Sequence, residues 1–162
     1  MIDAVQNDRV LAAENILQKL RDPLTIFFFQ FLQLSLPFFT KINREMQSEK
    51  PKIQELHSNV TAMYKTLLEC YIKRQIILKT PVHQINYENP HNFRPLNEIY
   101  LGAQIAMRID NLDQNQAHIL RTRCLDFFIE GATQINQRFD FNSEVLKNMN
   151  IINPSTPFRR KI

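Results

Sequence analysis

Six residues of this sequence have side chains that commonly bind zinc: the four histidines and the two cysteines. Zinc sites usually take ligands from spacings such as C-x2-C, H-x3-H or H-E-x-x-H, because these place two ligands on one turn of the chain. No two of the six residues have such a spacing. We therefore predict no metal site among His57, His83, His91, His118, Cys70 and Cys124.

The acidic pair Asp126 and Glu130 has a spacing that general acid–base catalysis can use, because residues four apart lie on one face of a helix. Acidic pairs at this spacing usually form a solvated stripe. Arg123 and Arg138 are near enough on the same predicted helix to pair with them. We therefore predict a surface role for this pair. Loss of an activity on substituting Asp126 or Glu130 would reverse that interpretation.

Nucleophilic and nucleotide chemistry would need motifs that this sequence does not contain. There is no G-x-S-x-G motif, and glycine occurs only twice, so phosphate-binding loops of the Walker or dinucleotide type cannot form. Neither Cys70 nor Cys124 has a sequence context that marks a reactive thiolate, and both are predicted to be reduced core thiols of an intracellular protein. We therefore expect this chain to have no cofactor, no catalytic residue and no enzymatic activity.

Short basic clusters are the candidate DNA contacts. The chain has 20 basic and 16 acidic residues, a mild excess that allows contact with DNA without arguing for it. For each cluster the alternative is a solvated helix face or a frayed tail, and the C-terminal cluster could also act as a nuclear-import signal. The candidate DNA-contact residues are Lys73, Arg74, Arg159, Arg160 and Lys161.

Helical patterns position these residues, and the predicted fold class is all-α, an irregular bundle of about five to six helices. An amphipathic helix is predicted from Asp3 to Arg21, and Asp22-Pro23 begins a second helix with Asp22 as its N-cap. Leu24–Phe39 is apolar nearly all round, which predicts that other helices enclose it at the centre of the domain. Pro37 is expected to kink or split this helix near Leu34.

The rest of the chain alternates one irregular segment with further helices. We predict a single helical domain over residues 1–154 and a loose basic tail over 155–162. The segment 79–96 contains three prolines and is predicted to be the one long irregular connection. The predicted helices are one from Pro51 to Tyr71, one from Asn111 or Asp113 to Arg138, and a short one that Asn142-Ser143 caps and that ends near Met149.

The most hydrophobic segment, Ile26–Phe39, is shorter than the stretch of about 20 apolar residues that a membrane span needs. We predict a buried core helix with no membrane role, and we assign its phenylalanine-rich block, residues 27–31, to the core rather than to base stacking. The N-terminus has no pattern typical of a secretion signal. The expected location is therefore the nucleus or the cytoplasm.

Two stretches of this sequence resemble the helical region of hAT-superfamily transposases, in particular the lineage that also gave rise to domesticated, transposon-derived proteins of animals. The resemblance extends roughly from Leu17 to Pro154. The first stretch contains Leu36-Pro37-Phe38-Phe39, Ile42-Asn43, Met46-Gln47-Ser48-Glu49-Lys50-Pro51, Ile53 and Leu56. The second contains Arg123-Cys124, Phe127-Phe128, Glu130, Ala132, Gln134-Ile135, Arg138-Phe139-Asp140, Leu146 and Asn153-Pro154.

This resemblance implies a place within a larger enzyme. In that superfamily a ribonuclease-H-like sheet carries two catalytic aspartates, a large helical insertion follows, and a catalytic glutamate lies beyond it. This chain is similar to the insertion, and none of the catalytic motifs corresponds to a residue here. The resemblance thus implies a non-catalytic fragment of a longer protein, or a relic expressed alone, whose partner would be DNA, bound weakly and without sequence preference.

The alternative interpretation is a free-standing helical module for protein–protein interaction that binds its partner through a phenylalanine-rich groove. The resemblance, for its part, implies a helical domain that evolved against a sheet and that exposes an apolar face when it is isolated. Such a face would bind a second copy of the chain or another protein. The DNA hypothesis predicts affinity that falls steeply with salt, whereas the interaction hypothesis predicts little DNA affinity.

Overall fold

The chain forms α-helices joined by short 3₁₀ turns, in a computed structural model that describes residues 2–47 and 53–148. Within those ranges there are seven α-helices and no β-strand, so the predicted all-α class is confirmed. The α-helices are α1 (Ile2–Arg21), α2 (Pro23–Met46), α3 (Ile53–Glu69), α4 (Arg74–Lys79), α5 (Ala103–Ala106), α6 (Gln114–Arg138) and α7 (Glu144–Asn148).

Two helix starts that the sequence predicts are formed by the expected capping bonds. The side chain of Asp22 accepts a hydrogen bond of 3.0 Å from the backbone N–H of Leu24, and Pro23 is the first residue of α2. At α6, the side chain of Asp113 accepts a 2.8 Å bond from the backbone N–H of Gln116, whose own side chain accepts one in return. Of the two caps considered for α6, Asp113 is therefore the one used.

The centre of the fold is the contact between α3 and α6. Leu67 and Leu68 on α3 have no exposed surface, and neither do Leu120, Phe128 and Ala132 on α6. Leu67 and Leu68 are adjacent, and the three residues of α6 are eight and four apart, so they lie on one side of α6. The predicted start of α3 at Pro51 and the predicted tail over 155–162 lie outside the described residues.

Helix α2 lies at the side of this centre, which corrects the prediction that other helices enclose Leu24–Phe39. Only one side of α2 is buried, through Phe27, Phe31 and Ser35, which are spaced by four residues. The ring of Phe31 packs edge-on against Phe128 with centroids 5.1 Å apart. Large side chains on the opposite side are exposed: Ile26 by 44%, Phe29 by 58% and Leu36 by 47%.

Pro37 does not split α2, which runs without a break from Pro23 to Met46. Proline removes a single backbone hydrogen-bond donor, and packed side chains before and after Pro37 hold the helix together. Phe31 anchors the preceding turns in the core, and Phe39 packs edge-on against Phe127 with centroids 5.9 Å apart. The hydroxyl of Ser35 also donates a 2.9 Å hydrogen bond to the carbonyl of Phe31.

The connection predicted over 79–96 is irregular, as expected, but it is tied firmly to the end of α3. It contains 3₁₀ turns at Val82–Gln84, Pro90–Asn92 and Leu96–Glu98. The backbone N–H of Arg94 donates to the carbonyl of Tyr71 at 2.8 Å, and that of Tyr100 donates to the carbonyl of Cys70 at 2.9 Å. Buried Val82 and Ile85 add it to the core, and buried Ile99 and Leu101 do the same for the residues that directly follow it.

Candidate interaction surface

The main candidate site consists of exposed apolar side chains on two consecutive helices, α1 and α2, which together we call the α1–α2 apolar face. It is defined by six residues: Ile16, Leu17, Leu20, Ile26, Phe29 and Leu36. Five other large hydrophobic side chains of the described residues are strongly exposed, and these are scattered: Leu11, on the opposite side of α1 from Leu20, and Leu78, Tyr100, Met107 and Val145. Single exposed apolar residues are ordinary, whereas several on one side of a helix indicate an interaction surface.

Helix α1 contributes to this face because its described side chains are not covered by the rest of the fold. All residues from 11 to 21 are exposed, including the apolar ones. Ile16 exposes 60% of its surface, and Leu17 and Leu20 expose 47% and 50%. An amphipathic helix of this kind gains stability when its apolar side is buried, so α1 has a surface suited to a partner.

Helix α2 contributes the side that points away from the core. Ile26, Phe29 and Leu36 are three and seven residues apart, which puts them on one side of the helix, opposite Phe27 and Phe31. Burial of Phe27 and Phe31 therefore requires that Phe29 face outward. The assignment of the whole block 27–31 to the core is thus wrong for Phe29, and Phe28 is only half-buried.

Two arginines lie over phenylalanine rings at the start of α2. The guanidinium carbon of Arg108 is 5.8 Å from the centroid of the Phe27 ring, and that of Arg123 is 5.7 Å from the centroid of Phe28. Both arginines are exposed, so each keeps donors available to solvent or to an anion while the ring limits its motion. No sequence pattern predicted this pair of arginines, because the contacts join residues that are distant in the chain.

The predicted DNA-contact residues are only partly within the described residues. Lys73 and Arg74 are both exposed at the start of α4, and the Nζ of Lys73 donates a 2.7 Å hydrogen bond to the carbonyl of His91. That bond fixes the lysine on the irregular connection. Arg159, Arg160 and Lys161 lie outside the described residues.

The candidate metal ligands are dispersed, and no three metal-binding side chains of residues 2–47 and 53–148 come together. His57 is half-buried, with its Nε2 3.3 Å from the carbonyl oxygen of Phe141 and its ring 5.8 Å from that of Phe139. It thus packs the segment after α6 against α3. His83, His91 and His118 are exposed at three separate places.

Both cysteines are buried and free, as expected of core thiols. Burial raises the pKa of the Cys70 thiol and of the Cys124 thiol to about 12 each, from an ordinary value of 9.0. The thiol of Cys70 also donates to the carbonyl of Thr66 at 3.4 Å. Both groups are therefore protonated at neutral pH, the opposite of the condition that makes a cysteine nucleophilic.

The acidic pair on α6 is on the surface. Asp126 and Glu130 are exposed, and Glu130 accepts a 2.8 Å hydrogen bond from the side-chain amide of Gln134. Arg123, which the sequence placed as a partner for these acids, lies over the ring of Phe28. The pair has the solvated environment of ordinary surface carboxylates.

A shallow groove between α2 and α3 borders the outer side of α2. Its volume is about 350 Å³, and Lys41 is the one charged residue among those that line it. The other lining residues are Pro37, Phe38, Asn59, Ala62, Met63 and Thr66. This composition suits an apolar side chain of a docked protein better than a charged metabolite.

One stretch of α2, Pro23–Lys41, is long and apolar enough to cross a membrane by length and composition alone. This stretch is longer than the apolar segment identified from the sequence, and 17% of it is buried. Core helices of soluble proteins meet the same criterion, so it does not by itself identify a membrane span.

The geometry therefore defines an all-α protein with an uncovered apolar face and two arginines held on aromatic rings. In comparisons with known proteins, no family model, no curated protein and no solved structure matches this chain.

Proposed function

We propose that this chain is a non-catalytic helical assembly module of a hAT transposase-like, transposon-derived protein, and that it acts by docking the α1–α2 apolar face onto another protein surface. The occupant that we assign to the α2 part of the face is a surface of the same longer protein. By the same resemblance, its place in the cell would be the nucleus.

The observation that carries this proposal is the concentration of exposed apolar residues on α1 and α2. Burying a large aliphatic or aromatic side chain contributes roughly 1.5–3 kcal/mol. Phe29, exposed by 58%, and Ile26 and Leu36, each exposed by nearly half, could each contribute a substantial part of that amount on docking. Exposed apolar surface of this extent favours a covered state over a free one.

The resemblance supports the same conclusion from the sequence side. An insertion domain is joined to the fold into which it is inserted and can pack against it, and the Leu36-Pro37-Phe38-Phe39 run that carries the resemblance lies on α2. Leu36 is on the exposed side of that helix. The residues that resemble the family and the residues that need a partner therefore overlap.

The test begins with the complete transcript and then uses the long form of the protein. A photo-reactive phenylalanine analogue is placed at position 29 or 36, and at position 78 as the control. Leu78 is an equally apolar and even more exposed residue, on α4 and away from the face. We expect cross-links from positions 29 and 36 to peptides of the same longer protein, with little product from position 78. Equal yields from all three positions would contradict the proposal.

The arginine pair favours a second candidate function, weak and non-specific contact with DNA. Arg108 and Arg123 each present an exposed guanidinium that an aromatic ring holds in place, and such groups bind phosphate oxygens well. The net charge of +4 is compatible with this role. Two cations supply only modest affinity, so this contact would support DNA handling rather than target selection.

A further inference from the structure

Helix α1 has a heptad-like apolar stripe that nothing in the described fold covers. Ala13, Leu17 and Leu20 are spaced by four and three residues, so they form one narrow stripe, and Ile16 lies along its edge. All four are exposed. A stripe of this spacing is the surface by which two helices pack side by side.

Two opposite charges flank the stripe on the same side. Glu14 follows Ala13 and Arg21 follows Leu20, and both are exposed. They are seven residues apart, which gives them the same position relative to the stripe. That separation corresponds to a rise of about 10 Å along the helix, too far for the two side chains to pair within one helix.

We propose that α1 pairs in antiparallel orientation with the α1 helix of a second copy of this chain. In that arrangement Glu14 of each copy lies beside the partner's Arg21, so two equivalent ion pairs flank the apolar seam. Leu17 packs against the partner's Leu20 in the middle. This inference rests on the proposed function, because it assigns the occupant of the α1 part of the same face.

The position of α1 relative to the remaining helices favours the antiparallel arrangement. Helix α2 begins at Pro23, directly after α1, so the rest of each chain is attached at one end of α1. In a parallel pair the two attached bodies would lie side by side, and the two Arg21 side chains would lie at the same height. In an antiparallel pair the bodies lie at opposite ends of a helix about 30 Å long.

The short length of the apolar seam limits the expected affinity of the dimer. The described stripe covers little more than two turns, and a two-helix contact of this size is small compared with interfaces of stable dimers. We therefore expect a reversible dimer with a dissociation constant on the order of micromolar or weaker. The protein would be a mixture of monomer and dimer at concentrations near that value.

Sedimentation equilibrium of the whole chain tests the pairing. The variants are Glu14→Arg, Arg21→Glu and the double exchange Glu14→Arg/Arg21→Glu. Each single variant places like charges together twice in the dimer, so we expect the dissociation constant to rise on the order of tenfold or more. The double variant restores opposite charges in the antiparallel register, and we expect its dissociation constant to return to within about threefold of the original.

The controls separate this inference from the proposed function. A wild-type chain that stays monomeric over the concentration range, or a double variant that fails to recover, overturns the antiparallel pair. Binding of the monomer to phosphatidylcholine–phosphatidylserine vesicles, abolished by Leu17→Ser/Leu20→Ser, also overturns it and assigns the stripe to a lipid surface. In each case cross-linking from position 29 still reports on the α2 docking, so failure of the dimer leaves the proposed function separately testable.

Discussion

Phe39 on α2 fills the space that the missing side chain of Gly131 leaves on α6. A Cβ atom added at Gly131 would lie 2.7 Å from the Cζ atom and 3.1 Å from the Cε1 atom of the Phe39 ring. Leu67 lies behind at 3.8 Å, and the ring of Phe39 is held edge-on against Phe127. The close approach of α2 to α6 therefore depends on glycine in the middle of a long helix.

We expect Gly131→Ala to destabilise the protein although alanine is the better helix former. The propensity gain is about 1 kcal/mol, whereas forcing a rigid ring out of a packed site costs about 1–3 kcal/mol. The net loss in the free energy of unfolding should be about 1 kcal/mol, measured by urea denaturation.

The matched control for this prediction is the same substitution in a Phe39→Ala background. With the ring removed, the clash disappears and Gly131→Ala should become neutral or stabilising by up to about 1 kcal/mol. A loss of the same size in both backgrounds would show that Phe39 is not the cause.

The buried side chains of α2 should contribute to the free energy of unfolding, whereas the exposed side chains of this helix should contribute little. Phe31 is 2% exposed and touches the rings of Phe127 and Phe128. Phe31→Ala should therefore cost about 3–5 kcal/mol, as expected for truncating a buried phenylalanine. Phe29→Ala, on the opposite side of the same helix, should change stability by less than about 0.5 kcal/mol.

The pair of substitutions distinguishes the position of α2 observed here from the enclosed position that its composition predicts. Thermal and urea denaturation of both variants supply the measurement. Similar large losses at positions 29 and 31 would mean that α2 is buried on both sides in solution.

Local signals explain which parts of the fold were predictable. Asp22-Pro23 and Asp113 each act within a few residues of the helix that they begin, so residue types alone located the start of α2 and limited the start of α6 to two candidates. The spacing of Val60 and Leu67 likewise predicted the buried side of α3. These features depend on neighbours in the sequence.

The α1–α2 apolar face and the arginine pair depend on contacts between distant residues. Composition showed that α2 is apolar nearly all round, but it could not show that only one side meets the core. In the same way, nothing near Arg123 in the sequence indicates Phe28, which is on another helix. Apolar residues that await a partner and apolar residues of a core have the same sequence pattern, and only the packing separates them.

The raised thiol pKa values predict a stability that falls in alkaline solution. Burial raises the pKa of Cys70 and of Cys124 to about 12, so between pH 9 and 12 the folded state binds more protons than the unfolded state. The free energy of unfolding must then decrease as the pH rises through that window, while below pH 9 these groups contribute no pH dependence.

Urea denaturation at a series of pH values measures this decrease, and Cys70→Ala/Cys124→Ala is the control. The slope should become smaller in the double variant but not vanish, because burial also raises the pKa of Tyr64 and of Tyr71. An aromatic disulfide reagent at pH 8 should label neither thiol in the native protein and both in urea. Rapid labelling of the native protein would contradict the burial of these groups.

The arginines over Phe27 and Phe28 should determine how any DNA affinity responds to salt. Each phosphate contact contributes about 0.9 to the slope of log affinity against log salt, because bound counterions are released. Arg108→Gln/Arg123→Gln removes two charges while keeping long side chains over the rings, so the slope should fall by about 1.8. Fluorescence anisotropy with a short duplex, from low salt upward, gives both slopes. The comparison variant is Lys73→Gln/Arg74→Gln. It changes the two predicted DNA-contact residues that lie within the described part of the chain. If the slope falls only in the comparison variant, the DNA contact lies at the start of α4. If the wild-type chain does not bind the duplex at low salt, neither pair contacts DNA.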